Sequence, residues 1–191
     1  MYKRYIKRII DIIISFIALI LLSLLFLLIA LLIKIIDKRN VFYKQKRTGK
    51  FGKEFKIYKF RTMKDGKITK LGSFLRSTSL DEIPQFYNVL KGDMSLIGPR
   101  PWIPDYYERF NENQKRRNNI KPGLVGLAQI NGRKEVDIFD KINYDLIYIE
   151  KLSFIEDLKI LIKSIKVIVK KENINVGKSY IQKELDKLEN Q

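Results

Sequence analysis

The chain has 191 residues, with 38 Lys and Arg against 21 Asp and Glu, a formal net charge of +17, and 46% hydrophobic residues. It holds no Cys and no His. That excludes disulfides, thiolate catalysis, a His general base and Cys- or His-ligated metals, and leaves catalysis to Asp, Glu, Lys, Arg, Tyr, Ser and Thr with hard oxygen-liganded cations such as Mg²⁺.

Ile12 to Ile33 is a run of 22 residues without a charge. A helix of that length reaches across a bilayer core of about 30 Å. No small-x-small cleavage site follows, so a cleaved leader is not expected. Asp11, at its edge, is expected to pair with Lys7 or Arg8 at the headgroup level. Lys3, Arg4, Lys7 and Arg8 precede the run, and Lys34, Lys38 and Arg39 follow it. Positive charge holds a flank on the cytoplasmic side, and both flanks carry it. Two readings follow. Charge and length alone favour a single span. The other is a re-entrant helix-break-helix with arms of about 11 residues. The run has no Pro or Gly, and Ser23 near its middle offers only a weak bend.

Residues 41–80 carry 12 Lys and Arg against Glu54 and Asp65, a net +10, while 1–40 carry +5 and 81–191 carry +2. Such a field favours anionic lipid headgroups and anionic substrates. Nucleic acid is not expected, because no recognition-helix or RNP-type pattern accompanies the charge. Residues 41–47 and 55–62 alternate with a period near two around TGKFGKE, which predicts a β-hairpin with a longer loop. Residues 65–73 read as a loop, 79–91 as a helix, 92–101 as an irregular loop and 102–118 as a helix. Trp102, Tyr106 and Tyr107 suit either a core or a membrane interface.

Residues 121–133 form a glycine-punctuated loop or short extended segment, and 137–150 a helix. The best-defined helix is 154–171. Phe154, Ile155, Leu158, Leu161, Ile162, Ile165, Ile168 and Val169 fall on one face, and Lys159, Lys163, Lys166 and Lys170 on the other. This pattern suits a membrane surface, or equally a peripheral helix packed on the core with solvated lysines. The polar tail beyond Lys171 is expected to be mobile.

The segment with chemistry runs from Arg76 to Gln85. Ser79 followed by Glu82 is a capping-box pattern, which predicts Asp81 and Glu82 in the first turn of a helix, where backbone N–H groups favour negative charge. That structural role alone accounts for both acids. As chemistry, adjacent carboxylates beside Arg76 and Arg100 suit a Mg²⁺ site and a nucleophile aimed at phosphorus. Arg100, between Pro99 and Pro101, is either a restrained phosphate fork or a plain ion-pair partner.

SLDEIPQFYNVLKGDMSLIGPRP (79–101) resembles the signature of the monotopic phosphoglycosyl transferases, a family of bacterial sugar transferases. DIIISFIALILLSLLFLLIALLIKI (11–35) is similar to that family's N-terminal membrane helix, and VFYKQKRTGKFGKEFKIYKFRTM (41–63) to its basic segment. KPGLVGLAQINGR (121–133) and YDLIYIEKLSFIEDLKILIKSIKVIV (144–169) resemble its downstream motif and C-terminal part. The resemblance implies transfer of a sugar-1-phosphate from a UDP-sugar to undecaprenyl phosphate, by a ping-pong route through a phosphosugar–aspartate, with release of UMP. It implies Asp81 as nucleophile and Mg²⁺ ligand, Glu82 assisting the metal or the acceptor, Arg76 and Arg100 on phosphates, and Arg133 towards the donor.

The same resemblance implies an α+β, helix-rich fold, with a small β-hairpin and amphipathic helices around a membrane-embedded re-entrant helix. Residues 1–40 would be that helix, and 41–191 a membrane-associated catalytic domain on the cytoplasmic face of the bacterial inner membrane. Its partners would be the two substrates and anionic lipids, with no nucleic acid, and a homodimer is allowed. The family usually breaks its membrane helix at Ser-Pro, where this chain has Ser23-Leu24. Its downstream motif often reads Pro-Gly-x-Thr-Gly-Trp, where this chain has Val125 and Leu127. The loop from Asp65 to Ser73 is short for the family. Two rival readings stand beside the transferase: a catalytically silent membrane-anchored scaffold that binds anionic lipid, and a membrane-tethered nucleic-acid binder.

Overall fold

The structure, a computed structural model, describes residues 1–131, 136–169 and 178–189. The apolar run forms two α-helices, α1 (Lys7–Leu21) and α2 (Ser23–Leu32), and a π-helical turn at each outer end extends them to Tyr2 and Asp37. Leu22, at φ −90° and ψ 4°, interrupts them. The arms Tyr2–Leu21 and Ser23–Asp37 meet at a bend of 59°. Among the described residues no single helix is long and apolar enough to cross a membrane, but this bent pair together has the length and composition.

The first arm is built inside out. The only buried side chains of α1 are Asp11 and Ser15, one turn apart, while Ile13, Phe16, Ile17 and Ile20 are exposed. In α2 Leu24, Leu27, Leu28 and Leu31 are exposed and Ile29 is buried. Asp11 does not pair with Lys7 or Arg8, as its sequence neighbourhood suggested. Its Oδ1 accepts the backbone N–H of Leu96 at 3.0 Å, deep in the protein. Lys7 instead pairs with Asp157, and Arg8 donates to the carbonyls of Val89 and Leu90.

The expected hairpin is present. β1 (Phe42–Thr48) pairs antiparallel with β2 (Glu54–Phe60), Tyr43 standing opposite Lys59. β2 is buried on both faces. Ile57 joins Val89 and Met94, and Phe60 joins Ile29, Ile33, Leu75 and Ile83. Residues 65–73 are more than a loop. β3 (Met63–Lys64) and β4 (Lys67–Ile68) make a small ribbon, and α3 (Lys70–Ser77) starts at Thr69, whose hydroxyl accepts the N–H of Gly72.

The helix expected over 79–91 is split. Leu80–Glu82 is a 3₁₀ turn, and α4 (Gln85–Lys91) begins after Pro84. The capping box is not formed, since the Ser79 side chain caps nothing. Pro84 has no N–H to bond the Leu80 carbonyl, so an α-helix from Leu80 would lose a rung there. Ile83 N–H bonds that carbonyl instead, at 3.3 Å. Asn88 clamps α4 to β2, its side chain bonding the Tyr58 N–H at 3.0 Å and the Lys56 carbonyl at 2.8 Å.

Within 92–101, β5 (Ser95–Ile97) pairs in parallel with β6 (Gly123–Val125). The approach beside them requires glycine, because a Cβ on Gly123 would lie 2.1 Å from the Gly98 nitrogen. Residues 102–118 form α5 (Pro104–Arg109), α6 (Glu112–Lys115) and a 3₁₀ turn rather than one helix. Phe110 is extended because Asn111 and Gln114 make a reciprocal capping box that restarts the chain. Tyr106 and Phe110 belong to a core, packed with Ile138, Ile142, Leu185 and Leu188. α7 (Leu127–Ile130) leads towards α8 (Ile138–Lys151).

α9 (Phe154–Val169) buries Asp157, Ile160 and Ser164, and leaves Phe154, Ile155, Leu158, Leu161, Ile162 and Ile165 exposed. Its apolar face therefore does not pack on the core. The tail is not wholly without structure, because Lys178–Glu189 is a helix, α10, whose Leu185 and Leu188 complete the Tyr106 core. The whole is helix-rich α+β with three two-stranded sheets among the described residues.

Asp11→Ala leaves the Leu96 N–H buried and unpaired, and is expected to cost about 1–3 kcal/mol. Asp11→Asn keeps an acceptor and should recover most of that loss. Thermal unfolding in detergent checks both, and equal losses would mean that the hydrogen bond is not the stabilising feature.

Candidate active site

The acidic pair sits on the 3₁₀ turn between α3 and α4. Ser79 opens it in the left-handed region at φ 57°, which a non-glycine residue adopts only at some cost. The reversal there points Glu82 at two cations. Lys59 of β2 pairs with its Oε1 at 2.6 Å, and Arg100 pairs with the same oxygen at 3.3 Å. Among the described residues Asp81 makes no ion pair, although it is buried.

The two neighbours titrate in opposite directions. Burial opposes the charge on Glu82, but Lys59 and Arg100 outweigh it and hold its pKa down to about 2. Asp81 is pushed up to about 6, by burial first, against Lys59 and with the Glu82 charge adding to the rise. Arg76 and Arg100 oppose that rise more weakly. Asp81 is thus a carboxylate more basic than usual and without an ion pair among the described residues.

Both acids line a cavity of about 480 Å³, within the usual range for a small-molecule site. Arg47, Lys59, Arg61, Arg76, Arg100 and Lys141 line it too, six cations in all, with Asp145 and Glu184 as further acids that pair with Arg117 and Lys141. Arg76 is positioned by its Nε bond to Thr62 Oγ1 at 2.8 Å. Arg47 bonds Gln45 Oε1 at 2.7 Å and the Pro101 carbonyl, and its buried Nε has no partner. Burial, then the charge of Arg100, holds its pKa down to about 10. Two guanidinium groups that repel each other beside a cavity mark a place for an anion.

Arg100 is braced from behind. Its carbonyl accepts from Arg117 Nη2 at 2.7 Å, and Arg117 is fully buried in an ion pair with Asp145 at 2.6 Å and lies over the Trp102 ring at 4.1 Å.

Four of the five expected site residues, Arg76, Asp81, Glu82 and Arg100, therefore meet in one cavity. Arg133 lies outside the described residues. The sequence reading missed Arg47 and Lys59. Nothing local separates them from the other basic residues of 41–80; the hairpin register alone turns them inward.

No cluster of three or more acidic side chains exists among the described residues. A Mg²⁺ completed by substrate phosphates needs only one or two carboxylates. The residues fit that arrangement, since Asp81 is buried and unpaired while Glu82 is already committed.

The chain matches a family model described as bacterial sugar transferase over residues 2–171. It is 44% identical over 146 residues to the uncharacterized sugar transferase EpsL of Bacillus subtilis, covering 70% of this chain and 72% of that protein. It is 44% identical over 177 residues to a UDP-glucose:undecaprenyl-phosphate glucose-1-phosphate transferase of Klebsiella pneumoniae, covering 81% of this chain and 38% of that protein. It is 36% identical over 159 residues to an undecaprenyl-phosphate galactose phosphotransferase of Salmonella typhimurium, covering 68% and 33%. The chain thus spans well under half the length of the latter two.

Lys59→Met removes the nearer of the two cations on Glu82, and is expected to destabilise by about 1–3 kcal/mol at neutral pH. Because the folded pKa of Glu82 is depressed, its contribution is full above the ordinary value of 4.5 and lost as the pH falls towards about 2. The stability advantage of the native chain over Glu82→Gln should shrink over that window. Chemical denaturation at stepped pH checks it.

Proposed function

The chain belongs to the bacterial sugar transferase family, and on that premise we propose that it transfers a sugar-1-phosphate from a UDP-sugar to undecaprenyl phosphate. The names of the Klebsiella and Salmonella relatives support this reaction class. The observation that carries the proposal is the division of labour in the acidic pair. Glu82 is neutralised by Lys59 and Arg100, while Asp81 stands unpaired and basic in a cavity lined by cations.

In the first step a carboxylate oxygen of Asp81 bonds to the sugar-proximal phosphorus of the donor. The bond from that phosphorus to the bridging oxygen breaks, and UMP leaves with the electron pair. In the second step a phosphate oxygen of the lipid bonds to the same phosphorus. The bond to Asp81 breaks, which restores the carboxylate and yields a polyprenyl-diphosphate sugar. Arg47, Arg76 and Arg100 hold phosphate oxygens during both steps, with Arg61 adding positive charge. Lys59 keeps Glu82 anionic, so that Glu82 in turn fixes Arg100. Asp81 would hold a Mg²⁺, which would further neutralise phosphate charge.

A lipid substrate requires the cavity to lie at a membrane. α1 buries polar side chains and exposes apolar ones, and α2 and α9 expose most of their apolar side chains. That is the reverse of a helix packed in water. With a bend of 59° between the arms and positive charge on both flanks, residues 1–40 enter and leave one leaflet. α9 lies along the surface. The face is the cytoplasmic face of the bacterial inner membrane, where the basic hairpin also meets anionic lipid.

Nanodisc-held protein given undecaprenyl phosphate, Mg²⁺ and a panel of UDP-sugars is expected to release UMP with one or a few of them. Asp81→Asn should fall to background, and chelation of the metal should abolish release reversibly. Release of UDP would mean ordinary glycosyl transfer and sink the mechanism. The topology has its own check, made clean by the absence of native cysteine. Single cysteines at Tyr5 and Lys38 should both react with an impermeant maleimide from the cytoplasmic side, whereas a spanning helix would shield one of them.

A further inference from the structure

A second hollow, of about 200 Å³, adjoins the acidic pair. Its walls include Ile83, Phe86 of α4, Leu124 and Val125 of β6, Ile130 of α7 and Ser164 of α9. Ser79, Glu82 and Gln129 line both hollows, so the two spaces meet at the dyad turn. Their chemistry differs. Six cations line the larger, and no Lys or Arg lines the smaller.

Its position is as informative as its lining. Ile83 and Phe86 pack with Ile29 and Ile33, on the second apolar arm. Ser164 lies on the buried side of α9, next to the exposed Leu161 and Ile165. The hollow therefore lies between the two elements that turn apolar surface outward. Thr78, Ser79, Glu82, Gln129 and Ser164 make its polar edge, and the five apolar side chains of the remaining wall gain dispersion contacts only from an apolar occupant.

We propose that this hollow receives the first isoprene unit of the polyprenyl phosphate acceptor and so places its phosphate at the dyad. The inference rests on the transferase reading and adds where the lipid sits. An engineered cavity of about 150 Å³ in another protein holds benzene, so the volume suits a five-carbon unit, with the rest of the chain passing out into the bilayer. Displacement at the phosphorus held by Asp81 brings the lipid phosphate to the cations that UMP has left. The prenyl chain then needs an apolar exit beside those cations, and the shared wall at Ser79, Glu82 and Gln129 provides it.

The test uses the native chain in nanodiscs with a polyprenyl phosphate that carries a diazirine in its first isoprene unit. Photolysis should label peptides holding Phe86, Val125 or Ile130, and excess undecaprenyl phosphate should suppress that label. Labelling confined to the outer faces of α1 and α2, or label that is not suppressed, overturns the proposal. Kinetics supply a second reading. Filling the hollow with Val125→Trp or Ile130→Trp should lower kcat/KM for undecaprenyl phosphate by about tenfold or more, and kcat/KM for the UDP-sugar by less than about threefold. Equal losses in both constants, or none in the lipid constant, overturn it. Labelling needs no turnover, so it still decides the site if a Trp variant fails to fold. A native protein that binds and labels but never releases UMP would sink the transferase reading and leave the lipid site standing.

Discussion

One ion-pair arrangement, Glu82 held between Lys59 and Arg100, ties the site together. It joins the β-hairpin, the 3₁₀ turn and the loop after β5, three segments far apart in sequence. A largely buried carboxylate needs such partners, since desolvation alone would neutralise it. Because Glu82 takes both cations, its neighbour keeps none. Burial then raises the basicity of Asp81. Two identical chemical groups, adjacent in the chain, acquire different roles from their surroundings.

A second constraint comes from the helices that face outward. α1, α2 and α9 present apolar surface away from the core, so apolar burial docks α2 through Ile29 and α9 through Ile160 but docks α1 little. Polar contacts do much of that work. Asp11 accepts the Leu96 N–H, and Arg8 holds the last carbonyls of α4. Asp157 of α9 accepts hydrogen bonds from Tyr2, Lys7 and Tyr148 at 2.5–2.6 Å. All are at least partly buried, and a hydrogen bond is electrostatically stronger away from water. One of them also bears on the position of Arg100, because Leu96 lies in β5, four residues before it.

Glycine and a buried ion pair complete the frame. Gly98 and Gly123 let β5 and β6 approach closely where a side chain would collide. The Arg117–Asp145 pair, capped by the Trp102 ring, then fixes the Arg100 carbonyl. A fully buried ion pair is weak evidence for net stability. Its value here is positional, in setting the backbone from which the Arg100 guanidinium projects towards Glu82.

Local patterns in the sequence determined the hairpin, α8, α9 and the acidic segment. Period-two alternation needs only neighbours in the chain to be read, and so does the lysine-backed apolar stripe of α9. Asn111 and Gln114 also carried a local signal, a capping box that interrupts 102–118. The amphipathic spacing of Ile181, Leu185 and Leu188 in α10 was masked by a polar composition. Other features had no local signal. Arg47 and Lys59 are two among many basic residues until β1 and β2 register turns them towards Glu82. Asp11 finds its partner 85 residues away. The sequence by itself set which residue types were available and which segments were helical or extended. Only the tertiary structure decided which charges are buried together, because desolvation and Coulomb energy depend on distance and surroundings in space, and those are made by chain segments that do not adjoin.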